Sequence, residues 1–172
     1  MASGEETIEQ GGAHDIRKFR NALGWFATGV AVITTRVKGG EPFGITVNSF
    51  SSVSLDPPLV LWCLDKKSDT LAAFEQATHF TVNVLREEHQ DLSARLARKG
   101  DHSLAGMDVR EGESGSPALA EALAHFECEI EARHDAGDHV IMVGRVVKFD
   151  YVEEGRPLLY HRGAYQMLPP VI

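Results

Sequence analysis

Residues 44–64 read GITVNSFSSVSLDPPLVLWCL. The first half sets Thr46, Asn48, Ser49, Ser51, Ser52 and Ser54 among Ile45, Val47, Phe50 and Val53, and the second is an apolar run opened by Asp56-Pro57-Pro58. β-Branched and aromatic residues punctuated by prolines predict strand on either side of a turn. In an extended chain alternate side chains face opposite ways, so Thr46, Asn48, Phe50, Ser52 and Ser54 share one face and Ile45, Val47, Ser49, Ser51, Val53 and Leu55 the other. Polar groups thus fall on both faces, and each one buried without a partner costs about 1–3 kcal/mol. For a lone serine, an edge strand bonding to backbone or water resolves this. Six such residues between positions 46 and 54 favour a surface built to hydrogen-bond a planar polar ligand.

The neighbouring segments extend the strand reading. Val30–Val37 is rich in β-branched residues and ends in Lys38-Gly39-Gly40, which predicts a hairpin into a strand over Phe43–Val53. Leu59–Leu64, short and wholly apolar, predicts a strand buried on both faces. Phe80–Leu85 is a further strand. Phe126, Cys128, Ile130 and Ala132 alternate with Glu127, Glu129, Glu131 and Arg133, the pattern of a strand wet on one face. A turn over His134–His139, around Gly137, leads into a long strand Val140–Tyr151, and a last strand over Leu158–Leu168 is interrupted at Gly163.

Helical signals are fewer. Ile16, Phe19, Leu23 and Phe26, behind Asp15 as N-cap, predict a short amphipathic helix packed as a lid over the sheet. Ser68 caps a helix to about Ala77. Glu87–Arg98, with Leu92 and Leu96 in line, predicts another that stops at Gly100. Residues 100–124, rich in Gly, Ser and Asp around Pro117, form an irregular excursion. Roughly seven strands that rarely alternate with helices predict a mainly β, antiparallel barrel or sandwich rather than a doubly wound sheet.

A chain of 172 residues with 43% apolar content suits one domain, over residues 15–172, preceded by a polar tail over 1–14 that is expected to be disordered. The net charge of -8 excludes an electrostatic nucleic-acid surface. An anionic ligand must then find its cations locally, and Lys66-Lys67 is such an island. Cys63 and Cys128 stand apart without CxxC spacing, and no HExxH occurs, so reduced buried thiols are expected and no metal site. The first residues do not read as a secretion signal and no window approaches a membrane span, which predicts a cytoplasmic chain without membrane contact. GxGxxG, GxxxxGK[ST] and GxSxG are all absent, removing the Rossmann turn, the P-loop and the hydrolase elbow.

The run GITVNSFSSVSLDPPLVLWCL, preceded by FATGVAVITTR and followed by GDHVIMVGRV and PLLYHRGAYQML, closely resembles the flavin reductase-like family, in order from about Phe19 to Leu168. The resemblance implies an FMN-binding split β-barrel of Greek-key, antiparallel strands with a few peripheral helices, assembled as a homodimer. It implies an NAD(P)H:flavin oxidoreductase of EC 1.5.1 type, using FMN or FAD with NADH or NADPH as donor, that supplies reduced flavin to a partner monooxygenase. A flavin-binding electron carrier without nicotinamide turnover, or a non-catalytic barrel scaffold, are the other readings of such a chain.

Carried over residue by residue, Thr46, Val47, Asn48, Ser49, Ser51 and Ser52 line the flavin ring or ribityl chain. Cys63, Leu64, Asp65, Lys66, Lys67, Ser68 and Thr70 form the following strand end and phosphate loop. A helix N-terminus after Ser68, with two lysines ahead of it, is independently suited to an anion, although a solvated Lys-Lys turn before an ordinary cap fits as well. His139, in GDHVIMVGRV, is implied as the catalytic histidine that orients the nicotinamide, the alternative being a surface histidine. Arg162 and Tyr165, in YHRGAY, are implied on the nicotinamide side, Arg162 meeting a phosphate and Tyr165 covering a ring; Tyr165 as a packed aromatic beside a Gly163 bulge is the alternative.

Overall fold

The computed structural model describes residues 8–37 and 39–168. Helix α1 (Ile16–Leu23) is followed by strands β1 (Thr28–Gly29), β2 (Ala31–Thr35), β3 (Phe43–Val47), β4 (Ser51–Leu55) and β5 (Pro58–Asp65). Helix α2 (Leu71–Gln76), strand β6 (His79–Val84), a 3-10 turn (Glu87–His89) and helix α3 (Gln90–Leu96) come next. The remainder is strand: β7 (Val109–Glu111), β8 (Pro117–Leu119), β9 (Ala124–Ala136), β10 (His139–Tyr151), β11 (Leu159–His161) and β12 (Ala164–Gln166).

The hydroxyl-rich stretch is two strands, not the single one expected over Phe43–Val53. β3 and β4 take the two outer positions of a seven-stranded antiparallel sheet ordered β3-β2-β6-β9-β10-β5-β4, although only residues 48–50 separate them. Four Cα steps span at most about 14 Å, so the sheet must curl until its outer strands meet at one end. That is an antiparallel split barrel, as expected. Strand propensity is the same on both sides of the crossing, which is why local pattern does not mark it.

β2 hydrogen-bonds to both β3 and β6, and every residue from Ala31 to Thr35 is buried. Inside the barrel, Trp62 meets Phe74 and Phe80 edge to face, with centroids 4.9 and 5.8 Å away, among Ile33, Leu64 and Met142. On the other face, Val30 and Val32 pack with Leu85, Leu96, Leu104 and Leu158. The strand buried on both faces is therefore β2 rather than β5, where Val60, Trp62 and Leu64 point inward and Leu59, Leu61 and Cys63 stay half-buried.

Two other expectations shift for the same reason, which is coverage by a distant segment. Glu127 does not face water; the β7–β8 hairpin, within the excursion read as irregular, lies over it, and Ser114 N–H donates to its Oε2 at 3.1 Å. Conversely α1, capped by Asp15 as predicted, is not a packed lid: none of its residues is buried, and Ile16, Phe19 and Leu23 are 58–69% exposed.

Two hairpin turns matter for the site. Gly137-Asp138 joins β9 to β10 with Gly137 at φ 64°, the first central position of a two-residue turn. Arg162-Gly163 joins β11 to β12 with both residues at positive φ, 51° and 81°, so Gly163 ends a hairpin instead of bulging one strand. α2 begins at Leu71 with Thr70 as its cap, two residues later than the Ser68 cap predicted. Residues 8–14 carry no helix or strand, while residues 1–7 of the expected tail and Lys38 of the expected turn lie outside the described residues. Among the described residues no helix is long and apolar enough to cross a membrane, and no cluster of three His, Cys, Asp or Glu is placed to hold a metal.

Candidate functional site

The end of β5 runs into a tight loop. Asp65 pairs across the ladder with His139, its carbonyl accepts Ser68 N–H at 2.9 Å, and its Oδ1 accepts Lys67 N–H at 2.7 Å. The two lysines then part company. Lys66 Nζ is held by Asp135 at 2.6 Å and by the Gly137 carbonyl at 2.6 Å, which ties the loop to the β9–β10 turn. Lys67 is exposed and makes no ion pair among the described residues. Ser68 Oγ lies 2.8 Å from Thr70 Oγ1, the latter buried.

His139 stands on this rim, its side chain 41% exposed, with Nδ1 2.7 Å from Asp138 Oδ1. A carboxylate only accepts, so Nδ1 carries the proton and Nε2 of the neutral ring is left as an acceptor. The hydrogen bond from His139, with a smaller contribution from Lys67, holds the Asp138 carboxyl below its usual range.

A second rim is built by β3, α3 and the last hairpin. Thr46 Oγ1 donates to the Ser93 carbonyl at 2.8 Å, and Ser93 Oγ lies 2.8 Å from the Tyr165 hydroxyl. Tyr165 meets Tyr160 edge to face. These residues, with Val30, Val47, Asn48 and Ala97, line a cavity of about 210 Å³. The Asn48 amide is exposed at its mouth, offering both a donor and an acceptor.

The rims are joined through one serine. Ser49 Oγ accepts Cys63 N–H at 2.9 Å and donates to the Cys63 carbonyl at 3.3 Å. Asn48-Ser49 on one side and Cys63-Leu64-Asp65 on the other therefore run as one wall from the cavity to the Lys67 loop. Beyond the loop, Asp69 accepts Gly100 N–H at 2.7 Å and His102 Nε2–H at 2.9 Å, pinning residues 100–102 against it. A polar amide at one end, a cation with no carboxylate partner at the other and a histidine between suit a planar heterocycle with an anionic tail.

Other predicted residues fall elsewhere. The side chains of Val47 and Leu64 belong to the core, so these residues can offer a ligand only backbone. Ser51 and Ser52 are exposed on β4, Ser51 bonded to the Ser52 carbonyl. Burial raises the Cys63 thiol, partly offset by Ser49, and pushes Cys128 up to about 12. Arg162 stacks over Trp25 at 4.2 Å, and its N–H donates to the Gly24 carbonyl. His139, Arg162 and Tyr165 thus stand at three places, with no described hydrogen bond or ion pair joining them. Ser93 was not anticipated. Its signal was a serine three positions before Leu96, on the face predicted to be apolar.

Residues 23–169 match the family described as flavin reductase like domain. The chain is 46% identical over 158 residues to the reductase subunit HsaB of a flavin-dependent monooxygenase from Rhodococcus jostii, covering 92% of this chain and 80% of that one. It is 47% identical over 154 residues to the FMN reductase (NADH) SmoA of Agrobacterium fabrum, covering 90% and 87%. A solved structure of the NADH:FAD oxidoreductase SgcE6 of Streptomyces globisporus superposes with a TM-score of 0.90 at 34% identity, over 96% of this chain and 100% of that one. A second structure of SgcE6, in complex with NAD and FAD fragments, superposes at 0.89, again at 34% identity, over 95% and 98%. A family match over residues 23–169, with relatives 46–47% identical over most of both chains and solved structures of the same fold, makes this chain a member of the flavin reductase-like family.

Proposed function

We propose that this protein is an NAD(P)H:flavin oxidoreductase of EC 1.5.1 type, which reduces FMN or FAD and supplies the reduced flavin to a partner monooxygenase. The observation that carries the reading is the continuous wall from the Asn48 amide through Ser49 and Cys63 to Asp65 and to Lys67, which has no ion-pair partner among the described residues, with His139 on its rim. When bound, flavin would supply the redox chemistry as acceptor of a hydride from the nicotinamide donor.

The chain's own residues bind and orient. Thr46 spends its proton on the Ser93 carbonyl, so toward a ligand it presents lone pairs. Asn48 offers both donor and acceptor to a ring edge. Lys67 meets the phosphate locally, which is how a chain of net charge -8 can hold an anion. His139 Nε2 accepts from a carboxamide N–H while Asp138 fixes the tautomer. A nicotinamide that stacks on the exposed face of a flavin needs no nucleotide-binding domain of its own, consistent with the missing GxGxxG.

The functional unit is a homodimer. The exposed large apolar side chains of Ile16, Phe19, Leu23 and Phe26 around α1, and of Leu55, Phe149 and Tyr151 along β4 and β10, support this reading. A cytoplasmic setting is supported by two cysteines left unpaired.

The test is to mix purified protein with FMN or FAD and NADH or NADPH and follow loss of the nicotinamide absorbance. Flavin-dependent turnover is expected. A tight yellow complex without turnover would mark an electron carrier, and neither signal would mark a scaffold.

A further inference from the structure

Ser93 is a residue with no surface and two tethers. It is fully buried at the centre of the seven-residue helix α3, a place where serine is intrinsically poorer than alanine. Its hydroxyl meets the Tyr165 hydroxyl at 2.8 Å, while its carbonyl accepts from Thr46 Oγ1 at 2.8 Å. The side chain thus reaches one wall of the 210 Å³ cavity and the main chain reaches the other.

The wall that carries Tyr165 needs such a tether. β11 and β12 are three residues each, too short to be stable as an isolated hairpin. They are attached by the two-residue strand β1, by the backbone bonds of the preceding Leu158 to Leu85 and Val30, by the Arg162 N–H to Gly24 and by Tyr160 and Tyr165, and of these Tyr165 alone ties the hairpin to α3 by a side-chain hydrogen bond. Tyr165 itself stays partly exposed, its ring braced by Tyr160 at 5.5 Å. Its ring packs against the core cluster around Val30 and Leu96, but without the serine hydroxyl no other hydrogen bond among the described residues fixes where the phenol end sits.

We propose that Ser93 is a positioning residue, whose hydroxyl holds Tyr165 as the wall against which the nicotinamide ring of the donor is placed beside Thr46 and Asn48. This rests on the reductase reading above and adds a residue to it. Because the carbonyl survives any side-chain change, loss of the hydroxyl disturbs the Tyr165 wall and leaves the Thr46 tether in place.

The experiment is a double-mutant cycle with Ser93→Ala, Tyr165→Phe and the pair, read by flavin titration, by steady-state kinetics in NADH and by thermal melting. Each single change is expected to raise the KM for NADH by about 3- to 10-fold, the loss of one net hydrogen bond, with kcat and flavin affinity kept within about twofold. The double variant is expected to be no worse than either single, since both remove the same bond. Ser93→Thr, which restores a hydroxyl, is expected to recover the KM. Additive losses, an unchanged KM, or a weakened flavin complex in place of a raised KM would overturn the proposal. Should Ser93→Ala fail to fold, Tyr165→Phe alone still reads the bond, and an unchanged KM there refutes the role. Wild-type protein that never oxidises NADH in the presence of flavin would instead refute the underlying reductase reading.

Discussion

Ser49 Oγ and Cys63 hold each other by two hydrogen bonds, one accepted from the Cys63 N–H at 2.9 Å and one donated to its carbonyl at 3.3 Å. The β4–β5 ladder pairs Ser51 with Leu61, so continuing that register sets 50 opposite 62 and 49 opposite 63. Ser49 continues that ladder with its side chain, because its main chain is already turning toward β3. The hydroxyl that looked like a ligand group is spent on the fold. Ser49→Ala is expected to cost about 1–2 kcal/mol, seen as a lower Tm in the absence of ligand. Asn48→Ala next to it is expected to leave the Tm alone and to weaken flavin binding by about 3- to 10-fold. Equal effects of both variants on both measurements would show that the two residues share one role.

The lysines separate in the same way. Lys66 is pinned by Asp135 and Gly137, whereas Lys67 has no carboxylate partner among the described residues. Lys67→Ala is expected to weaken FMN binding on the order of 3- to 10-fold while leaving riboflavin, which lacks the phosphate, unaffected. The difference should shrink as salt is added. Titrating both flavins at two salt concentrations checks it, and an equal loss for riboflavin would remove Lys67 from the phosphate.

His139 opens β10 opposite Asp65, with Nδ1 committed to Asp138. His139→Ala is expected to raise the KM for NADH several-fold, leaving flavin affinity near wild type. Asp138→Asn should reproduce part of that rise, because an amide can hold either imidazole tautomer. Steady-state kinetics on both variants, with flavin titration alongside, separates this role from a general loss of the site.

How much of this was legible follows from the range of the signal. The composition of residues 44–64 predicts a ligand surface because so many hydroxyls beside a core demand partners, and that expectation needs no knowledge of the fold. Which hydroxyl faces a ligand depends on where the chain crosses from β3 to β4; Asn48-Ser49 is turn-favouring, but it does not say that the chain leaves one edge of the sheet for the other. Glu127 illustrates the same limit: its alternation is that of a wet face, and only the hairpin at 109–119 buries it. Ser93 and Tyr165 lie 72 positions apart, so their pairing has no local trace at all.

Acid should loosen the loop that follows β5. Burial pushes the Asp69 carboxyl up, but the Gly100 N–H and the bond and charge of His102 outweigh it, so it sits below its usual range. A carboxyl with a lowered folded value contributes stability that is complete above the ordinary value near ~3.9. That contribution is lost as pH falls through the lower folded value. Asp69→Asn is therefore expected to lower the Tm at about pH 5 and above, with the gap to wild type closing below about pH 3. A gap that stays constant down the acid range would mean the substitution acts through something other than the charge.

Gly144 is where β10 presses closest on the core. A Cβ there would lie 2.3 Å from Phe80 Cζ and 2.9 Å from Cys128 Cβ. Phe80 has no room to retreat, being fully buried and edge-on to Trp62 at 5.8 Å. β10 would have to lift instead, and Gly144 pairs with Val60 on the strand that carries Asp65 to the site. Gly144→Ala is expected to destabilise by about 1–3 kcal/mol through overpacking, a fall in Tm of roughly 2–4 °C for each kcal/mol in a chain of this length. Gly29→Ala is the control, since a Cβ there meets nothing within 4 Å and its φ is not positive. It should stay within about 0.5 kcal/mol of wild type. Thermal melts of the two variants side by side decide the matter, because a Gly144→Ala protein as stable as Gly29→Ala would mean that the barrel yields at β10 without cost.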